Sequence, residues 1–284
     1  MLTATLRALR RNHAAKVAVG IIGLVVLVGI FAPLIAPHDP NLQNLQLKLR
    51  PPFWMDGSES GYLLGTDKLG RDVLSRVMYG TRVSLLVGLA ATLLSGVVGA
   101  AVGVVSGYYR GWREQVFMRL ADVQLAFPSI LLALAIIAVL GPSLLFLILV
   151  LGLTGWVSYA RVVRAEVLSL REREFVTAAR AIGDTGPQIM VRHLLPNIVA
   201  PLATIGTLQV AAMIVAEASL SYLGLGVPPS VPTWGSMLAD GQLYLRGAWW
   251  IAVFSGAAIM MTTLAINVTG DLLRDVADPK AYHR

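Results

Sequence analysis

The sequence predicts an all-α integral membrane protein with six transmembrane helices, and three observations carry that prediction. Only 14% of the 284 residues are charged, where a soluble domain carries about a quarter. Hydrophobic residues make up 56% of the chain, and its mean hydropathy is +0.70. The apolar runs approach the roughly 20 residues that a helix needs to cross hydrocarbon, not the 9–11 alternating residues of a barrel strand.

Six such runs are legible: 17–36, 84–106, 116–141, 143–160, 198–223 and 248–268. Arg7, Arg10, Arg11 and Lys16 stand around the start of the first. That run is long for the apolar part of a signal peptide and meets Pro37 at once, so it reads as an uncleaved span. With the N-terminus inside, the inner segments hold 16 lysines and arginines and the outer ones 7. Inner loops of membrane proteins collect these residues, which places both termini in the cytoplasm. The division that follows is a cytoplasmic N-tail 1–16, a first span 17–36, an external loop 37–82, a five-helix core 83–268 and a cytoplasmic C-tail 269–284. Within the core lie a cytoplasmic loop 161–197 and an external loop 224–247. The net charge of +7 is then topological, and nucleic acid is not an expected partner. With no cysteine in the chain, neither a disulfide scaffold nor a thiolate metal site is available.

The inner loop contains a polar, interrupted stretch, EFVTAARAIGDTGPQIMVRHLLPN, from Glu174 to Asn197. Helical spacing puts Phe175, Ala178, Ala179 and Ile182 on one face and Arg173, Thr177 and Arg180 opposite. Gly183 is placed to end that helix in a left-handed conformation. Pro187 suits the first turn of a second short helix, and Pro196 marks its approximate end. Two readings fit this pattern equally: a helix lying on the inner leaflet with arginines toward anionic lipid, or a docking element for another protein.

The stretch Thr177–Pro196 resembles the EAA signature of bacterial ABC-importer permeases: Glu-Ala-Ala, three residues, Gly, nine residues, then Ile-x-Leu-Pro. Thr177, Ala178 and Ala179 fill the triplet, Gly183 follows, and His193, Leu194, Leu195 and Pro196 close the motif. Thr177 stands where the pattern has Glu, and His193 where it has Ile; the His form is similar to the peptide/nickel subgroup. In that family the loop is a coupling helix seated in a groove of a separate ATPase subunit. The resemblance therefore implies that Phe175, Thr177, Ala178, Ala179, Arg180, Gly183, Asp184, Pro187, His193 and Pro196 couple to the ATPase.

Two further blocks resemble the C-type permeases of dipeptide, oligopeptide, nickel and glutathione importers. One is LLGTDKLGRDVLSRVMYGTRVSLLVG, from Leu63. Thr66 or Asp67 can cap a helix there. Leu69, Val73, Leu74, Val77 and Met78 oppose Lys68, Arg71, Asp72, Ser75 and Arg76, with Gly80 as a stop. This predicts an amphipathic helix in the outer interface. The other block is AEASLSYLGLGVPPSVPTWGSML, from Ala216. Glu217 is an acid inside an apolar run, a functional candidate by default, although a hydrogen-bonded structural role fits it as well. Glu217, Ser221 and Trp234 are the candidate residues of a translocation path.

Together these blocks imply a type I ABC importer permease core preceded by one extra span. The partners implied are a homologous permease, two ATPase subunits that bind ATP and magnesium, an extracytoplasmic solute-binding protein, membrane lipid and a peptide substrate. Nickel chelate, glutathione and haem are alternative cargoes. The chain itself is expected to bind no cofactor and to catalyse nothing. It has no Gly-x4-Gly-Lys-Ser/Thr, and none of its lysines (16, 48, 68 and 280) follows a glycine. A proton-coupled transporter using Glu217 is the rival from another class. An intramembrane enzyme would need the paired catalytic groups that the sequence lacks.

Overall fold

The computed structural model describes residues 12–277, so the basic cluster Arg7, Arg10 and Arg11 and the end of the C-tail lie outside the described residues. The described residues form helices α1 (His13–Ile35), α2 (Val73–Tyr109), α3 (Gly111–Leu125), α4 (Ser129–Leu140) and α5 (Leu144–Leu170). A short helix α6 (Glu174–Ala181), a long α7 (Gly186–Tyr222), α8 (Trp234–Gln242) and α9 (Trp250–Ala277) follow. Five helices are long and apolar enough to cross a membrane, six with the bent pair α3–α4 taken as one span. No strand occurs among the described residues; Thr66 and Asp72 form an isolated bridge.

The frame of the bundle is α2, packed along α5. Glycines set their separation: a Cβ at Gly99 would lie 2.4 Å from Tyr159 Cβ, and one at Gly103 would lie 2.6 Å from Val163 Cβ. Any larger residue would force the two backbones apart. Around this pair α7 crosses α2, and α1 and α9 cover the flank. One apolar cluster, including Val87, Ala133, Leu147, Leu151, Met213 and Leu220, joins α2, α4, α5 and α7 at one end. A second, including Val104, Val163, Val167, Val176, Ala179, Ile189 and Leu194, joins the other end to α6.

Four elements differ from expectation. The separate amphipathic helix after Thr66 is absent. Asp72, not Thr66 or Asp67, caps α2 by accepting from Ser75 N at 2.9 Å, and Gly80 lies inside the helix against Trp234. The polar side read as interfacial is instead buried in an ion network. Asp67 Oδ2 lies 2.6 Å from Arg71 Nε and 3.5 Å from Arg76 Nε, and Arg71 Nη2 lies 3.6 Å from Asp240 Oδ2. The span predicted over 116–141 is broken, with α3 and α4 meeting at 85° across residues 126–128. Pro128 explains the break, since it lacks an N–H and disfavours helix in the residue before it.

The helix of the fourth span runs on to Leu170, ten residues past the apolar run 143–160. Its extra turns carry Arg161, 2.6 Å from Asp122, and Arg164, which is paired with Glu114 of α3. The second short helix does not end near Pro196. Residues 190–194 form a π-turn, in which Leu195 N bonds to Met190 O, and the chain continues as α7. The wider turn lets a proline enter without stopping the helix.

Candidate functional site: the segment 174–197

The elements that position this segment come from both ends of its own sequence and from α2. After α5 ends, Arg171 Nη1 donates to the carbonyls of Tyr108 (2.8 Å) and Gly107 (3.4 Å), capping the free end of α2. Helix α6 then runs eight residues with Glu174 in its first turn and Arg180 in its last, each charge opposing the helix dipole favourably. Its end is a Schellman turn. Gly183 N donates to Arg180 O at 3.1 Å, Asp184 N to Ala179 O at 3.0 Å, and Gly183 has φ +96°. A side chain at Gly183 would strain the backbone there, although no neighbour lies within 4 Å of a Cβ.

The chain then re-enters helix. Gln188 Oε1 accepts from Thr185 N at 2.7 Å and from Thr185 Oγ1 at 2.8 Å, and Pro187 occupies the first turn. Asp184 Oδ2 lies 2.9 Å from His193 Nε2, which ties the loop to the π-turn. Gly186 sits against the Tyr108 and Tyr109 rings, and the Arg180 guanidinium lies 5.6 Å from the centre of the Tyr108 ring. The segment is thus a closed, internally braced knuckle.

Of the four residues of the predicted apolar face, only Ala179 turns inward; Val176, which the spacing left off that face, joins it against Val104, Val163 and Val167, with Ile189 and Leu194 beside them. Phe175, Ala178 and Ile182 face away, Ile182 with 81% of its surface free. Thr177, Arg180, Pro187 and Pro196 are also exposed, while Asp184 and His193 are half-buried in their mutual contact. The sequence reading missed Tyr108, Arg171 and the Thr185–Gln188 brace. The last was legible as Ser/Thr-x-x-Glu/Gln at a helix start; the first two bond across more than 60 residues and left no local signal.

The three candidate path residues lie at the other end of the bundle. Glu217 is wholly buried, accepting from Ser84 Oγ at 3.0 Å and from Ser221 Oγ at 2.7 Å. Trp234 is buried too, its Nε1 donating to Val77 O at 3.0 Å. The three are enclosed within the chain, joining α2, α7 and α8.

A family model described as the inner membrane component of binding-protein-dependent transport systems matches residues 99–282. A second, the N-terminal transmembrane domain of oligopeptide transport permease C, matches residues 2–52. The di/tripeptide transport system permease protein DppC of Pseudomonas aeruginosa is 42% identical over 257 residues, covering 90% of this chain and 85% of that one. The dipeptide transport system permease protein DppC of Escherichia coli K12 is 42% identical over 271 residues, covering 95% and 90%. Among solved structures, a chain of the inward-facing MetNI methionine ABC transporter aligns with TM-score 0.58 at 19% identity, covering 72% of this chain and 97% of that one.

That likeness gives the fold, the type I importer permease core, and the helix order adds one N-terminal helix to it. The chain belongs to the family of binding-protein-dependent transport inner-membrane components, in the branch that carries the oligopeptide permease C N-terminal domain. It is a multi-pass inner-membrane permease subunit.

Proposed function

We propose that this chain is one of two permease subunits of an ATP-driven importer that moves peptides into the cytoplasm. The reading takes its cargo from the dipeptide and di/tripeptide permeases that the chain resembles across nearly its whole length. A binding protein delivers peptide to the outer loops. Two separate ATPase subunits bind ATP and magnesium and close on one another, and the knuckle 174–197 carries that motion into the spans. The cavity between the permeases opens outward, receives peptide, then opens inward. Such a cycle requires partners that bind the two states with different affinity, since equal binding shifts nothing.

The observation that carries this reading is the outward face of α6. Phe175, Ala178 and Ile182 are apolar and exposed on an otherwise polar loop between two spans, and a clustered exposed apolar patch marks a contact surface. Thr177, Arg180 and Pro187, also named by the EAA resemblance, are exposed on the same segment. Glu217, Ser221 and Trp234 act in this account as a lock between α2, α7 and α8. A proton carrier would need access to water, and Glu217 is enclosed and hydrogen-bonded on both oxygens, which favours the ATP-driven reading over the proton-coupled one.

The test is reconstitution with the co-encoded permease, ATPases and binding protein. Uptake of a di- and tripeptide panel that requires ATP hydrolysis supports the reading. Uptake of only nickel chelate, glutathione or haem would replace the cargo. Uptake driven by a proton gradient without the ATPases would overturn the mechanism.

A further inference from the structure

We infer that the wall where the third span breaks is a subsite for the peptide main chain on the translocation path, built from Ser129, Thr154, Ser158 and Gln209. The break leaves residues 126–128 outside any helix. Gln124 fixes its depth, because Gln124 Nε2 donates to Thr154 O at 2.6 Å and Thr154 lies ten residues from the start of α5 at Leu144. At 1.5 Å per residue that is roughly 15 Å, about half of a hydrocarbon core of about 30 Å. Non-helical backbone at such depth persists only where protein covers it or a water-filled space reaches it. This chain leaves it open, with residues 125–130 all exposed, so it faces the partner permease or the water-filled path between the two subunits.

Beside the break lies a cavity of about 220 Å³ between α4, α5 and α7. Its polar side chains come from all three helices: Ser129 from α4, Thr154 and Ser158 from α5, Gln209 from α7. Gly155 seats α7 here, since a Cβ at that position would lie 2.4 Å from Met213 Cε and 3.2 Å from Gln209 Nε2. The neighbouring polar groups brace the fold. Trp156 Nε1 donates to Gln124 Oε1 at 2.7 Å, and Thr154 Oγ1 to Leu151 O at 3.1 Å. Ser129, Ser158 and Gln209 take no part in that brace. An amide and hydroxyls facing lipid would be costly, so their convergence at mid-depth points to a wet, functional surface.

The chemistry of the lining selects a ligand class. It holds no ionisable side chain; it offers the Gln209 carboxamide and the Ser129 and Ser158 hydroxyls, each able both to donate and to accept, and the Thr154 hydroxyl, whose proton is held by Leu151 O, as an acceptor. That matches main-chain amides, which every peptide shares, and Ala133, Ala212 and Ala216 leave room for varied side chains. It does not match nickel, which takes imidazole, thiolate or carboxylate ligands. No cluster of three or more His, Asp or Glu occurs among the described residues. The inference rests on the peptide reading above and narrows it to the part of this chain that meets the cargo.

The test uses the cysteine-free sequence. Ser129→Cys, Ser158→Cys and Gln209→Cys are introduced singly into the complete importer, its partners also freed of cysteine, with Leu24→Cys on the exposed side of α1 as the lipid reference. A water-soluble methanethiosulfonate should modify the three cavity positions at least tenfold faster than Leu24→Cys. Transported dipeptide should slow that modification. Gln209→Leu should lower peptide uptake roughly three- to tenfold, the size of one lost hydrogen bond, while nucleotide-dependent assembly with the ATPases is retained. Cavity cysteines reacting at the Leu24→Cys rate, or unaffected by peptide in an importer that takes peptide up, overturn the subsite alone. An unsubstituted importer that takes up no peptide overturns the peptide reading, and the subsite with it.

Discussion

Replacing Gly183 by valine isolates the mechanical role of the knuckle. The glycine has φ +96°, and open space surrounds the position where a Cβ would stand. The substitution therefore adds backbone strain without a clash. Holding a β-branched residue in that region costs about 1–3 kcal/mol, against a folding stability on the order of 5–15 kcal/mol. The bundle stays folded, and the strain is relieved locally by giving up the bonds Gly183 N to Arg180 O and Asp184 N to Ala179 O. If the ATPase binds only the closed knuckle, the apparent affinity falls by the population lost, roughly 5- to 150-fold for that energy. The assay is titration of the ATPase subunits onto the permease pair in nanodiscs, alongside Gly183→Asn, which tolerates a left-handed backbone better. Asn should lose far less than Val. ATPase affinity within twofold of the unsubstituted protein for Gly183→Val, with full uptake, would refute the argument.

Three further substitutions test separate parts of the account. Removing the Asp184–His193 contact with Asp184→Ala should loosen the knuckle by about 0.5–1 kcal/mol, because both groups are partly exposed; faster amide exchange at residues 184–189 would register it, with α2 unchanged. Gly103→Leu should drive α2 and α5 apart, since even a Cβ would lie 2.6 Å from Val163. Overpacking of this kind costs about 1–3 kcal/mol and should appear as a lower thermal midpoint in detergent. Glu217→Gln keeps hydrogen-bonding partners for Ser84 and Ser221 and should transport normally. Glu217→Leu strands both hydroxyls at about 1–3 kcal/mol and should lose stability; a transport-dead but stable Glu217→Gln would instead point to a proton carrier.

The spans were legible because apolar length is a local property, and so was the turn at Gly183, where a glycine closes an amphipathic stretch. What escaped the sequence depended on distant partners. Leu69 to Met78 shows two-sided patterning, but its polar side meets Asp240, more than 160 residues away, so the pattern meant a buried network and not a lipid surface. Pro128 and Pro196 are chemically alike, yet one breaks a span at 85° and the other is absorbed by a π-turn. The difference lies in how the chain goes on: before Pro128 the helix closes with Phe127 N on Gln124 O and the chain turns away, whereas before Pro196 Leu195 N bonds to Met190 O and the helix continues. Val176 within α6 and Ile182 just past its end are both apolar, and only packing against α2 and α5 distinguishes the anchored residue from the exposed one.

The most direct measurement of the central claim is site-specific cross-linking from Ile182→Cys in the assembled importer, compared with Leu243→Cys at the opposite end, two residues with 81% and 74% of their surface free. Cross-links from Ile182→Cys to an ATPase subunit, changing in yield when ATP is bound and absent from Leu243→Cys, are predicted. Ile182→Cys that joins the binding protein, or that an impermeant reagent labels from outside the cell, would contradict the account.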